Sequence, residues 1–412
     1  MDDATSENDS TGATTATLGF VAFIIFIDMM GIGLIVPVMP SLLESMTGAS
    51  EDQTAEIGGW LLFAYAIMQF LFAPIIGGLS DRFGRRPVLL ITLTLLGIDY
   101  IIMALAPDLW WLFVGRLISG IMGASWAAAN SCVADVAGPD DRGKLFGILG
   151  GAGASGFVVG PAIGGILGEY SVRAPFFASA ILAIAGAGIG FFLLRETLPL
   201  DRRRPFTLAR ANPLGTILQM AKTPTVLGFL GVIFLLQTAA QATMAVWSYY
   251  TRLKFDWSEL DIGLGVAFYG LMLAVSQGVL TGIMIKRFGV KRTAILGLVI
   301  GLPAYIVIAF AHASWVMIAA IVIGSLSGVT FPAMQEMMSK RISEDAQGEL
   351  QGAVASTMSI TSIFGPVLMA ITFGYFADDT GLYFPGAPFI LAALFGYAAL
   401  LLLWRVTASV ER

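Results

Sequence analysis

The sequence predicts an all-α membrane protein of twelve transmembrane helices in two pseudo-symmetric six-helix bundles. Three observations carry that expectation. The 412 residues are 57% apolar and 12% charged, against about 25% charged in a soluble domain. Twelve apolar stretches are long enough to cross a bilayer, at roughly 20 residues each. The second half also repeats landmarks of the first at one fixed offset.

Residues 1–17 hold four acids and no Lys or Arg. They lack the basic start of a secretory signal and read as a disordered cytoplasmic tail. The spans follow at 18–42, 57–78, 88–106, 110–134, 145–168, 174–194, 226–250, 262–285, 292–311, 314–338, 349–373 and 386–405. The 48 glycines suit the close helix approach of membrane bundles. Arg82, Arg85, Arg86, Arg142, Lys144, Arg202, Arg203, Arg204, Lys286, Arg287, Lys291, Arg292, Lys340 and Arg341 all fall in even-numbered connections. Only Arg173, Arg252 and Lys254 fall in odd ones. The positive-inside rule therefore makes the even loops and both termini cytoplasmic. Tyr249, Tyr250, Trp60, Trp110, Trp111, Trp257 and Trp315 lie near span ends and read as an interfacial belt.

The repeat is specific. Arg82-Phe83-Gly84 recurs as Arg287-Phe288-Gly289, Gly143 and Gly147 as Gly348 and Gly352, and Gly160-Pro161 as Gly365-Pro366, each 205 residues on. Duplicated units at one period mean a duplicated fold. Residues 18–194 form an N-terminal bundle, 195–225 a basic cytoplasmic linker, and 226–412 a C-terminal bundle.

Several chemistries are excluded. One cysteine, Cys132, and one histidine, His312, rule out a disulfide framework and a thiolate or multi-histidine metal site. No phosphate-binding G-x-x-x-x-G-K-[ST] loop is present. The basic run 202–204 is too short for nucleic acid and suits a lipid surface. No catalytic set, metal or cofactor is implied.

Three charges lie well inside the apolar slab: Asp28 on the first span, Asp99 on the third and Arg116 on the fourth. Each costs at least about 2.5–3.5 kcal/mol near the bilayer centre. Burial disfavours the charged form of a carboxyl, whereas a nearby arginine favours it. Alternation between those two states is a physical basis for proton coupling. One arginine cannot neutralise two separate carboxyls in a fixed structure. Asp99 is the better placed to carry a proton. Asp28, beside Gly31, Gly33 and Pro37, is the better placed to meet a substrate.

Gln237 and Gln241 share a helix face at i, i+4. With Gln277, Gln335, Gln69 and Asn130 they supply neutral hydrogen-bonding groups for an amphipathic molecule. At residues 78–87 (GLSDRFGRRP), Gly78 and Gly84 permit a tight turn, and Pro87 suits the first turn of the next helix. Asp81 can serve a positive helix end. Arg85 can pair with Asp135. Arg82 and Arg142 complete a cytoplasmic gate.

Residues 78–87 resemble the signature loop of the major facilitator superfamily. Leu112, Arg116 and Gly120 resemble its proton-coupling motif. Gly156, Gly160, Pro161, Gly164 and Gly165 resemble the motif of drug/proton antiporters. Within that group the chain looks most like the tetracycline/proton efflux proteins, through residues 28–35, 65–69, Asp99-Tyr100, 115–120 and 332–335. The resemblance implies a monomeric exporter of the bacterial inner membrane, in which inward proton flow drives out a lipophilic drug-like compound. It also implies that the gate contacts latch an outward-open state, and that a divalent cation travels with a chelating substrate. Two departures stand out. That family carries a histidine where Leu273 stands, and an aspartate in the stretch occupied here by 301–304. Their absence moves proton chemistry to the N-terminal half. The alternative in the same superfamily is an exporter that does not handle tetracycline. A membrane enzyme would need a convergent nucleophile–base set, and a channel a polar stripe in both halves; the sequence has neither.

Overall fold

The computed structural model describes residues 3–136, 141–206, 224–343, 346–379 and 381–409. Twelve helices are long and apolar enough to cross a membrane: α1 (Thr17–Thr47), α2 (Glu51–Phe83), α3 (Arg85–Ala104), α4 (Leu109–Val136), α5 (Lys144–Tyr170), α6 (Ala174–Leu193), α7 (Thr225–Phe255), α8 (Glu259–Phe288), α9 (Val290–Phe310), α10 (Ser314–Ser339), α11 (Gln347–Ala377) and α12 (Ala387–Ala408). The helix of α1 runs back to Asp3, through the segment expected as a disordered tail. Extending a formed helix needs no new nucleus, which is the costly step.

The chain divides into two compact units, Met1–Val38 with Ile67–Asn212 and Met39–Ala66 with Pro213–Arg412. In the first unit the packing of α1 on α5 is set by glycine. A Cβ at Gly160 would come 2.6 Å from the Met30 carbonyl oxygen, and Cβ atoms at Gly156 and Gly164 would strike the Phe26 and Leu34 carbonyls. Gly33 on α1 answers from the other side, with Pro161 where its own Cβ would stand. Gly165, beside Gly164, is buried. The two backbones are in contact, as small residues in membrane bundles allow. An apolar core of Ile24, Ile25, Leu89, Leu93, Ala128 and Val133 fills the rest.

In the second unit, residues 39–66 are held against α7, α8 and α11. Arg252 on α7 pairs with Glu44 and, at 3.1 Å, with Glu51. Its guanidinium also donates to Ser41, which in turn donates to Glu259. Gly59 lies against Ala370 of α11. The basic residues of the odd-numbered connections thus have specific partners. Arg173 donates to the Ala104 carbonyl at the end of α3 at 2.7 Å, and Lys254 to the Ala309 carbonyl near the end of α9 at 3.3 Å. Cations at helix C-termini satisfy carbonyls that have no partner within the helix.

Two expectations are corrected. Tyr249, Tyr250 and Trp257 are buried, not interfacial. Tyr250 donates to the Ile308 carbonyl at 2.6 Å and Trp257 to the Ser314 hydroxyl at 2.9 Å, since a buried aromatic hydroxyl or indole N–H needs a partner. The stretch 78–87 is also no loop. Helix α2 continues to Phe83, and the joint to α3 is Gly84 alone, at φ 107°. Only glycine takes that φ without strain. Gly289, its repeat partner, has φ 79°.

Gly160→Leu should overpack the α1–α5 contact, costing about 1–3 kcal/mol and lowering the thermal midpoint of the detergent-solubilised protein. Gly151→Ala on the same helix, where an added Cβ meets nothing within 4 Å, should not lower that midpoint and should raise it slightly, since alanine is the better helix former.

Candidate functional site

The first unit holds both buried acids, and α4 reaches both. Asp99 on α3 is fully buried. Its Oδ2 accepts from the Ser119 hydroxyl of α4. Its Oδ1 has no hydrogen-bond partner among the described residues. The floor beneath it is Gly115, where a Cβ would come 3.2 Å from that oxygen. Arg116, buried on the same helix, attracts Asp99 electrostatically. Among the described residues it forms no ion pair with it. Asp28 on α1 is also buried. The Ser125 side chain of α4 interacts with it, and its Oδ2 has no hydrogen-bond partner among the described residues. Tyr100, next to Asp99, carries its hydroxyl against Gly31, three residues beyond Asp28. The structure therefore gathers Asp28, Asp99 and Arg116 around α3 and α4 of one unit. Such isolated buried carboxyls can gain and lose a proton when their surroundings change.

The second cluster lies where α2 meets α3. Arg85 is buried there, with its guanidinium shared among three groups: Asp135 Oδ2 at 2.9 Å, Asp81 Oδ1 at 2.5 Å and Ser80 Oγ at 3.0 Å. The planar fork of arginine suits such multiple bonding. Sequence reasoning missed Glu196. Its Oε1 accepts from the backbone N–H groups of Arg85, Thr197 and Leu198 at 2.8, 3.1 and 3.0 Å, and its Oε2 lies 3.7 Å from Arg203. A carboxylate thus caps the N-terminus of α3. An acid directly after the sixth span, within a basic stretch, was the available clue. Gly78 sits inside α2 and admits the Phe206 ring, which a Cβ there would meet at 2.8 Å. Arg82 is exposed over Phe83. Arg142 opens a helix, but its side chain lies outside the described residues.

The amides are dispersed. Gln69 donates to the Gly123 carbonyl at 3.1 Å. Gln335 accepts from Gln351 at 3.0 Å. Gln241 packs on Gly365, the repeat partner of Gly160. Gln277 is exposed in a π-helical turn over Ser276–Leu280, while Asn130 and Gln237 are half-buried. Among the described residues no three His, Cys, Asp or Glu side chains gather as a metal site would require.

Twelve spans in two repeated units, with buried carboxyls in one of them, define a polytopic membrane transporter. A family model described as Major Facilitator Superfamily matches residues 21–251 and 229–412. The tetracycline resistance protein of class C from Escherichia coli is 39% identical over 87% of this chain and 89% of its own. That of class G from Vibrio anguillarum is 38% identical over 84% of this chain and 87% of its own. The human organic anion transporter MFSD10 shares the fold at a TM-score of 0.70 and 22% identity, covering 95% of this chain and 99% of that one. The chain belongs to the Major Facilitator Superfamily and, within it, to the family of the tetracycline resistance proteins. It is a multi-pass inner-membrane transporter of small molecules, not an enzyme.

Glu196→Ala should release the α3 N-terminus and lower stability by about 0.5–2 kcal/mol, the usual weight of a helix cap. Thermal unfolding in detergent measures it, and Glu196→Gln should fall between Ala and the native residue.

Proposed function

We propose that this protein is a proton-coupled exporter whose substrate is a tetracycline or a closely related amphipathic drug. The observation that carries the reading is the pair of buried carboxyls in the first unit. Asp99 is held by the Ser119 hydroxyl, Asp28 has Ser125 beside it, and each keeps an oxygen without a partner among the described residues. A carboxyl that needed only to stay ionised would be paired and fully bonded. Arg116 beside Asp99 supplies the countercharge that favours ionisation when the two approach. Asp99 is the proton carrier in this scheme, and Asp28 links proton release to substrate.

The relatives' names favour tetracycline. In that case a divalent cation accompanies the substrate as its chelate and belongs to the cargo, and the protein needs no cofactor. The proposed neutral drug contacts are the amides of Gln69 and Asn130 within the first unit and, within the second, those of Gln237, Gln241, Gln277 and Gln335. The basic even-numbered connections favour an orientation with both termini in the cytoplasm. Asp81, Arg85 and Asp135 then lie at the cytoplasmic end, where their cluster acts as a gate. The working unit is a monomer.

In everted vesicles with an acidified lumen, adding a tetracycline with Mg²⁺ should alkalinise the lumen, while ethidium tests the broader-exporter alternative. Asp99→Asn should abolish proton movement, and Asp28→Asn should chiefly impair drug transport. Normal export by both variants would remove these acids from the mechanism.

A further inference from the structure

Helix α4 is not continuous. It runs as Leu109–Met122, turns at Gly123 and Ala124, and resumes as Ser125–Val136. An unbroken helix would pair the Gly123 carbonyl with the Ala127 N–H. That N–H instead donates to the Ala124 carbonyl at 3.2 Å. The Gly123 carbonyl is thereby released from the helix ladder, and the Gln69 side-chain amide of α2 donates to it at 3.1 Å. A freed carbonyl in an apolar surrounding needs such a partner.

The break separates the two hydroxyls that serve the buried acids. Ser119, four residues before Gly123, donates to Asp99. Ser125, two residues after it, serves Asp28. Each acid therefore has its serine on a different segment of one interrupted helix. Any change of angle at Gly123 moves the two hydroxyls relative to each other. Of the charged groups, Arg116 acts on Asp99 from the Ser119 segment.

The second unit provides an internal comparison. Helix α10 is interrupted at Leu326–Val329, and Gly328 stands 205 residues after Gly123. Its neighbours are Ser276 and Leu273 of α8, and Asp99, Arg116 and Gln69 correspond at that offset to Ala304, Ile321 and Ala274. The joint is kept in both repeats. At the position of the amide pin the second repeat has Ala274.

We propose that the Gly123 break, pinned by Gln69, is the coupling joint of the first unit, and that Ser119 and Ser125 are positioning residues for Asp99 and Asp28. The inference rests on the proton-coupled reading above. When the joint turns, one acid loses its hydroxyl as the other keeps or gains one, so protonation at Asp99 and occupancy at Asp28 cannot vary independently. Gln69 sets the angle at rest.

The test uses the full chain in proteoliposomes, recording tetracycline flux and proton flux together across a pH series. If the native protein moves no protons with the drug, the proposed function fails before the joint is at issue. With native coupling in place, Ser119→Ala and Ser125→Ala should each lower the proton-to-drug ratio and displace its pH profile by about one unit, since one hydrogen bond to a charged group is worth about tenfold in a protonation equilibrium. Ser119→Thr and Ser125→Thr, which keep the hydroxyl, should restore it. Gln69→Leu and the near-isosteric Gln69→Glu should both lower the ratio and displace the pH profile, in addition to any rise in drug KM from the lost amide contact. Spin labels at exposed positions 110 and 134, one on each segment, should show a broadened distance distribution in Gln69→Leu. The joint is overturned if the Gln69 variants couple normally, or if they raise only the drug KM, since Gln69 would then be a drug contact and nothing more. It is equally overturned if Ala and Thr at 119 and 125 behave alike.

Discussion

Charge burial is the constraint from which this structure follows. A bilayer-spanning chain has no water to lend to an ionised side chain, so every interior charge needs a neutralising partner or a proton. Here Asp99 is given one hydroxyl and Asp28 a neighbouring serine, and Arg116 is kept near Asp99 without closing an ion pair among the described residues. Arg85 shows the opposite solution a few turns away, with two carboxylates and a hydroxyl sharing one guanidinium. The first arrangement is poised to change state, and the second holds an end together.

The helix architecture serves that difference. Glycines of α5 lie on the carbonyls of α1 so closely that no side chain intervenes, which fixes the helix carrying Asp28. By contrast, α4 is interrupted, and its two segments carry the two serines. One acid-bearing helix is thus locked in place while the helix that serves both acids retains a joint. The second unit keeps the corresponding break in α10 without acids around it. The duplicated scaffold has been given chemistry in one copy only.

Much of this was legible in the sequence because a bilayer imposes simple rules. Twelve apolar stretches gave twelve helices, and the 205-residue offset exposed the duplication. Asp28, Asp99 and Arg116 stood out because charge is rare in such stretches. Serine carries no comparable mark: Ser119 and Ser125 are two hydroxyls among many, and only the fold shows which ones meet a carboxylate. Glu196 was obscured by its basic neighbours, and Gly78 was misread as a turn residue when its role is to admit Phe206. Tyr250 and Trp257 were assigned to the interface by position along the chain, whereas their partners Ile308 and Ser314 lie about 60 residues away and hold them inside. Long-range pairing is the information that a single sequence carries least openly.

The central claim is that the carboxyls at 28 and 99 hold protons that are released as substrate binds. Infrared difference spectroscopy of the reconstituted protein, with and without drug, tests it most directly. The account predicts loss of a protonated-carboxyl band on drug binding, with the part due to residue 99 missing in Asp99→Asn. A native difference spectrum without any carboxyl change would contradict it.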